Sequence, residues 1–350
     1  MNPYKNLRET NFWRRTISSK MKFEIDPVIS TKFKITKQNK ICTAGSCFAQ
    51  NLSKALKKEG YNYHVTEVAD SQMTTEEIEG KSYGVFSARY GNIYTTVQLN
   101  EILKEAVGEL EMSNLIWLSK DKNEYIDAIR PNIGDRFSND SELFHSRNYH
   151  LKCVEKIIIE SDIFVFTLGL TESWVSRDNG RTLPVAPGVY NLDDSTKNYD
   201  FKNLNYKETY SALDESIEIL KKFNPKIKII LTVSPVPQIA TYESRHVLVS
   251  NTYSKSLLRV VASEIADKYD FVDYFPSYEI ITGTYTYSSY FKNDLRQVEE
   301  IGIKHVIEIF LKHYSSQNKK EDMNGRNINI TETFGDDSDI VCDEEEIDKL

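Results

Sequence analysis

Three short runs in this sequence are apolar with no alternation: Lys40 to Gly45 (KICTAG), Ile163 to Gly169 (IFVFTLG) and Ile227 to Val233 (IKIILTV). Successive side chains of a strand point to opposite faces of its sheet, so a strand of this kind must be covered on both sides. The stretches between and after them have helical spacing instead. Phe48, Leu52 and Leu56 recur after the first run, and Lys57, Lys58 and Gly60 close that helix. Residues 143–160 place Phe144, Leu151, Val154, Ile157 and Ile158 on one side, and residues 207–222 do the same with Tyr210, Leu213, Ile217 and Leu220. Two further helices are predicted over 250–269, through Leu257, Val260, Val261 and Ile265, and over 297–313, through Val298, Ile301, Val306 and Phe310.

Doubly buried strands alternating with helices predict an α/β chain: three layers, with helices on both faces of a mainly parallel sheet. In such sheets ligands bind beyond the carboxyl ends of the strands. Residues 61–135 are less regular. They hold Gly84, Gly91 and a predicted hairpin in LIWLSKDKNEYIDAI, and read as an insertion or cap over the sheet. One domain over 35–316 is expected, with an N-terminal extension over 1–34.

Charge isolates the end of the chain. Residues 317–350 hold 11 acids and 4 bases, so nearly all of the net charge of -8 sits there and the rest is close to neutral. That segment reads as a disordered acidic tail, either a solvated end or a contact for a protein partner. A near-neutral body argues against nucleic acid as the ligand. No stretch approaches the roughly 20 apolar residues that span a bilayer. The charged opening leads into no apolar stretch, so no secretory signal is read and the expected location is cytoplasmic. Cys42, Cys47, Cys153 and Cys342 show no metal-ligand spacing, and no nucleotide loop is evident, so no metal or cofactor is expected. Cys42 and Cys153 read as core residues.

Four segments carry residue types suited to chemistry, each with a structural alternative. Gly45-Ser46-Cys47 puts a hydroxyl and a thiol in a strand-to-helix turn, where free N–H groups favour developing negative charge and lower a thiol pKa. The alternative is a serine cap and a small packing residue. In Leu168 to Trp174, Gly169 allows close backbone approach, Thr171 is a candidate oxyanion donor and Glu172 a candidate orienter of a base or holder of the loop. The alternative is Thr171 capping a short helix. After the third strand, Tyr242, Glu243, Arg245 and His246 form a polar loop in which His246 is either a general base or simply exposed. Asp294 either caps the last helix or orients a catalytic group. His145 is a spare base, and His305 and His313 are expected to face solvent.

Taken together, TAGSCFA (Thr43 to Ala49), FTLGLTESW, LTVSPVPQIATY, SRHVLVSNTYSKSLLRVVA and DYFPSYEIITG are similar, in order, to the motifs of the GSCFA family over about residues 35–314. That family resembles the SGNH, or GDSL-like, hydrolases, which have a flavodoxin-like fold and act on esters, often acetyl esters of carbohydrates; some relatives transfer acyl groups in polysaccharide synthesis. The resemblance implies an acyl-ester hydrolase or acyltransferase acting on a carbohydrate. It places Cys47 at the position of the superfamily's nucleophile, while residue type selects Ser46. It also implies oxyanion roles for Gly91 and Asn92 of RYGNIYTT and for Gly169 and Thr171. Asp294-Leu295-Arg296-Gln297 takes the place of Asp-x-x-His, so Gln297 stands where a histidine base is expected. An amide cannot accept and return a proton at neutral pH. His246 is then the first substitute base, and a binding module without catalysis is the rival reading.

Overall fold

The computed structural model describes residues 2–119, 123–190, 195–316 and Ile347. The acidic segment 317–350, Cys342 included, otherwise lies outside the described residues. In chain order the elements are β1 Ile41–Gly45, α1 Ala49–Lys58, α2 Thr75–Gly80, α3 Thr96–Ala106, β2 Ile116–Leu118, β3 Tyr125–Asp127, α4 Asp140–Glu160, β4 Ile163–Leu168, β5 Glu172–Ser176, β6 Thr182–Leu183, α5 Ser195–Asn198, β7 Tyr199–Asn203, α6 Tyr206–Phe223, β8 Lys228–Val233, α7 Val247–Lys268, β9 Val272–Tyr274, α8 Ser277–Thr282 and α9 Glu300–Tyr314.

The three apolar runs become adjacent parallel strands, in the order β1-β4-β8-β9. Their ends are in register: Gly45 pairs with Thr167, and Thr167 with Thr232. Tyr63 adds one parallel bridge on the free side of β1. Counting that bridge as a rudimentary strand gives the 2-1-3-4-5 order of flavodoxin-type sheets. Alternate residues feed two cores. Cys42, Ala44, Phe164, Phe166, Ile229 and Leu231 pack against α3, α4, α6 and α7. Ile41, Ile163, Val165 and Ile230 pack against α1, α8 and α9 on the other face. The result is the expected three-layer α/β fold.

Several expectations need correction. The short helix after Thr171 is a strand, β5, which pairs antiparallel with both β6 and β7. The hairpin β2–β3 forms as expected, but it does not cap the sheet alone. Trp117 and Ile126 from the hairpin share one small core with Leu183, Val185, Val189 and Tyr199, against which Ile347 also packs. The cap is therefore built from two insertions, one before β4 and one after it. On α7 the buried stripe is Ser254, Leu258, Val261, Ala262 and Ile265, whereas Val260 is about half exposed. His305 is buried against the Tyr290 hydroxyl rather than facing solvent, and His313 is paired with Asp26. Cys42 and Cys153 are core residues, as expected.

Gly45 fixes how β1 meets β4. Its φ is +133°, and a Cβ there would lie 2.3 Å from the Thr167 carbonyl oxygen. Gly60 also has a positive φ, +73°, but only the Lys37 amine approaches its Cβ position. The expected cost of Gly45→Ala is about 3 kcal/mol or more, from the strained φ and a backbone clash, against about 1 kcal/mol for Gly60→Ala. Denaturant midpoints of the two variants check this difference; equal losses would contradict it.

Candidate active site

The Gly45 turn leads straight into α1. Ala49 N–H bonds the Ser46 carbonyl and Gln50 N–H the Cys47 carbonyl, so Ser46 and Cys47 form the first turn ahead of the helix. Both side chains are buried. Ser46 N–H donates to the Thr167 carbonyl at 3.1 Å, while the Ser46 hydroxyl has no hydrogen-bond partner among the described residues. The thiol thus lies where a helix N-terminus meets the carboxyl edge of the sheet.

The segment Arg89 to Tyr94 is stitched into this edge. The Tyr90 hydroxyl donates to the Thr43 carbonyl, Ile93 N–H donates to the Gly45 carbonyl at 2.9 Å, and the Tyr94 carbonyl accepts from Gly169 N–H at 3.0 Å and Leu170 N–H at 2.9 Å. Gly91, at φ +69°, is pressed against the Asn132 amide, and any Cβ there would meet it at 2.3 Å. Asn92 is buried and receives the Gln50 amide at 3.5 Å. A Cβ at Gly169 would lie 3.1 Å from Ser46 Cβ. The structure therefore packs Gly169 against Ser46 and ties Asn92 to the start of α1 through Gln50, while Gly91 packs on Asn132.

The remaining sequence candidates are held in other ways. Gly169 N–H is already spent on Tyr94, so the oxyanion role expected of it is not available in this arrangement. The Thr171 hydroxyl donates to Asn203 at 2.8 Å, and Thr171 N–H donates to the Ser254 hydroxyl at 3.1 Å; it too is committed. Glu172 accepts from the Gln238 amide, the Thr241 hydroxyl and Tyr242 N–H at 2.6–3.1 Å, and so holds the loop after β8. His246 is exposed and caps α7, its Nδ1 accepting from Leu248 N–H at 3.1 Å. Neutral His246 then carries its proton on Nε2, where it can donate but not accept. Asp294 does not cap α9, which starts six residues later. Its Oδ1 accepts Arg296 N–H and Gln297 N–H, and the turn is tied to the β8 loop by Arg296 Nε on the Pro237 carbonyl at 3.0 Å. His145 lies exposed on α4.

Two features escaped the sequence reading. Lys255 of α7 is buried, with its ammonium on the Gly169 carbonyl at 2.8 Å. The available signal was a lysine standing three and seven residues before Leu258 and Ala262, inside the buried stripe. The second is a charge network behind the Arg89–Tyr94 segment. Arg130 and Arg147 both pair with Asp127, at 2.9 and 2.5 Å. Arg89 pairs with Asp135 at 2.8 Å, and its N–H donates to Glu67 at 2.8 Å. Glu67 also meets His150 Nδ1 at 2.6 Å. Among the described residues no group of three or more His, Cys, Asp or Glu could hold a metal ion, and no helix is long and apolar enough to cross a membrane.

With these features in view, the chain can be classed as a parallel α/β protein with a thiol-bearing turn at its sheet edge. The GSCFA family model matches residues 40–310, and the chain belongs to the GSCFA family. No curated protein matches it. Six chains of solved structures match. One, a crystal structure, is similar at 15% identity over 46% of this chain and 68% of its own, with a TM-score of 0.26, too low to support an argument.

The buried network makes stability sensitive to acid. Burial alone would raise the Glu67 pKa, but His150, Arg130 and the Arg89 N–H outweigh it and bring it down to about 2. Burial, reinforced by Arg130, lowers the pKa of His150 against the pull of Glu67. Unfolding therefore releases a histidine that takes up a proton below about pH 6.5 and a carboxylate that does so below about pH 4.5. Stability should fall as pH drops through 6.5 and continue to fall from 4.5 towards 2. In Glu67→Gln the lower part of that slope should flatten, while overall stability drops by about 3 kcal/mol because the arginines lose a buried counter-charge. Urea denaturation at a series of pH values reads both effects.

Proposed function

We propose that this chain is an SGNH-like acyl-ester hydrolase or O-acyltransferase acting on a carbohydrate, with Cys47 as nucleophile. The observation that carries the reading is the Gly45-Ser46-Cys47 turn, delivered to the start of α1 at the carboxyl edge of a parallel sheet, with Gly169 packed against Ser46 and Asn92 bonded to Gln50 of α1. The carbohydrate ester comes from the family resemblance. Cys47 is preferred to Ser46 on chemistry. A serine needs a base on its proton, and no described group is hydrogen-bonded to the Ser46 hydroxyl. A thiol at a helix N-terminus can ionise by itself.

The Cys47 thiolate attacks the acyl carbonyl carbon, forming a C–S bond and moving an electron pair onto the carbonyl oxygen. Collapse of that oxyanion breaks the ester C–O bond, and the departing alkoxide takes a proton from water. Water or a sugar hydroxyl then attacks the thioester, loses its proton to solvent and expels the thiolate. Which of the two attacks separates hydrolysis from transfer.

The second reading is a binding module of the same fold. It is favoured by one observation: His246 and Asp294 both spend acceptor atoms on backbone N–H groups at exposed positions. Turnover of acetylated sugars separates the two. Cys47→Ala should lower kcat/KM by at least about 100-fold, whereas Ser46→Ala should leave it within about fivefold. Mass spectrometry should find an acyl group on the Cys47 peptide during turnover. If turnover persists in a protein lacking both Ser46 and Cys47, the acyl-transfer reading fails. Sugar binding with no turnover in the unaltered protein selects the binding module.

A further inference from the structure

Residues 2–22 differ in kind from the rest of the chain. Six of them are Lys or Arg and one, Glu9, is acidic, whereas the chain up to residue 316 is close to neutral as a whole. The segment also displays its large apolar side chains. Tyr4, Leu7, Trp13 and Met21 are exposed, Trp13 at 64% and Met21 at 70%. Trp117, by contrast, is buried, and Trp174 packs partly buried against the cap core. Between residues 4 and 29 lie six of the 21 large apolar side chains exposed among the described residues, so the segment is far richer in them than its length accounts for.

The described fold gives these groups no polar partner in the body. Among the described residues, 2–21 hydrogen-bond only to neighbours up to four positions away. Lys5, Arg8, Arg14, Arg15 and Lys20 are all exposed and pair with no described carboxylate. Arg15 instead lies over the Phe12 ring, 4.2 Å from its centroid. Polar and aromatic attachment to the body begins at Lys22. Its ammonium reaches the Ser289 hydroxyl at 2.9 Å, the Phe23 ring centre lies 6.1 Å from that of Tyr290, and Ile25 is buried. The fold thus tethers the segment at its far end and leaves cations and apolar groups facing solvent together.

Exposed cations and exposed hydrocarbon in one segment match one kind of surface. An anionic bilayer offers phosphate groups to the cations. Just beneath them lies an interface that favours tryptophan and tyrosine and takes leucine and methionine out of water. A nucleic acid would satisfy the arginines and stack on Tyr4 and Trp13, but Leu7 and Met21 have no ring to stack and would stay in water. We propose that residues 2–22 form a peripheral docking segment for an anionic phospholipid surface, with Lys5, Arg8, Arg14, Arg15 and Lys20 on the headgroups and Trp13 and Met21 in the interface. With six cations it lies on the bilayer and does not span it. The inference is independent of the reading of Cys47.

Vesicles of phosphatidylcholine, and of phosphatidylcholine with about one third phosphatidylglycerol, test this on the whole chain. Flotation should recover the protein with the anionic vesicles and leave it behind with the neutral ones, and added salt should weaken the recovery. Trp13 emission should shift to the blue on binding, read as the difference from a Trp13→Phe protein. Each Lys or Arg near an anionic surface contributes about fivefold in affinity, so changing Arg8, Arg14 and Arg15 together to Gln should weaken binding by about a hundredfold. Met21→Ser should weaken it by about tenfold. Both variants should keep the thermal midpoint of the unaltered protein, because these side chains make no polar bond to the body. Equal partitioning onto both vesicles, or onto neither, overturns the inference, as does a triple variant that binds as tightly as the unaltered protein. Two further results would reassign the segment and overturn it likewise. One is binding to a labelled single-stranded RNA, lost in the triple variant, with no binding to vesicles. The other is vesicle binding that emerges only once residues 317–350 are deleted, which would make that acidic stretch the occupant.

Discussion

The carboxyl edge of the sheet depends on a missing side chain. β1 can close on β4 at Gly45 only because no Cβ stands between that residue and the Thr167 carbonyl. The backbone then puts the space to use. Ser46 N–H reaches Thr167, the Gly45 carbonyl receives Ile93 N–H, and Tyr94 passes the connection on to Gly169. Three segments distant in sequence are joined by main-chain bonds that no side-chain substitution elsewhere can replace. Because only Ser46, Cys47 and Phe48 separate the strand from α1, the free N–H end of the helix is delivered to the place where the strands stop.

Main-chain bonds at the edge need support from behind, and it is ionic. Residues 89–94 would be free to peel away if they were held only by their contacts with β1 and β4. Arg89 prevents this: its N–H and guanidinium join Glu67, Asp135 and the Ile133 carbonyl. Arg130 and Arg147, sharing Asp127, tie the same region to α4 and to the cap hairpin. Burying this many charges is a poor way to gain stability, since apolar residues of equal volume often do as well. Its use here is directional. Guanidinium groups bond carboxylates and carbonyls at fixed angles, which holds the Arg89–Tyr94 segment against the carboxyl edge of the sheet. Elsewhere in the cap the carboxylate of Glu105, also largely buried, has its pKa pushed up to about 7 by burial despite Arg181 nearby.

The fold was readable because its strongest signals are local. A run such as Ile163 to Leu168 has no polar face to present to water, so it had to be central, and the helices between such runs had to lie on the faces. Helix ends were misplaced where a cap overrides periodicity. His246 starts α7 three residues ahead of the first expected helical position, because its ring accepts the Leu248 N–H. Thr171 was given a helix because Thr-Glu-Ser-Trp resembles a cap box, whereas pairing with β6 and β7 makes the segment a strand; that information lies up to about thirty residues away in sequence. The candidate site divides in the same manner. Gly45, Ser46, Cys47 and Gly169 were visible because glycines next to apolar runs mark the ends of strands. Lys255 and the Glu67–Arg89–Asp127 network were not, because a buried charge looks like a surface charge until its partners are known.

On the proposed reading, Gln297 stands where the resembled superfamily has a histidine, and this has consequences for the nucleophile. With an imidazole beside it, a hydroxyl or thiol can rest neutral and be deprotonated as it attacks. With an amide there, that position supplies no base, and Asp294 spends its Oδ1 on the N–H groups of its own turn. A serine in that position would wait for a base that the described residues do not bring to it. A thiol is different in kind, since its ordinary pKa lies within two units of neutrality and a helix terminus or a cation can close the gap. On the proposed reading, the loss of the histidine and the presence of a cysteine in the turn are one change: the site moves the deprotonation from the moment of reaction to the resting state, and the electrostatics of the sheet edge, rather than a side-chain base, keep the nucleophile ready.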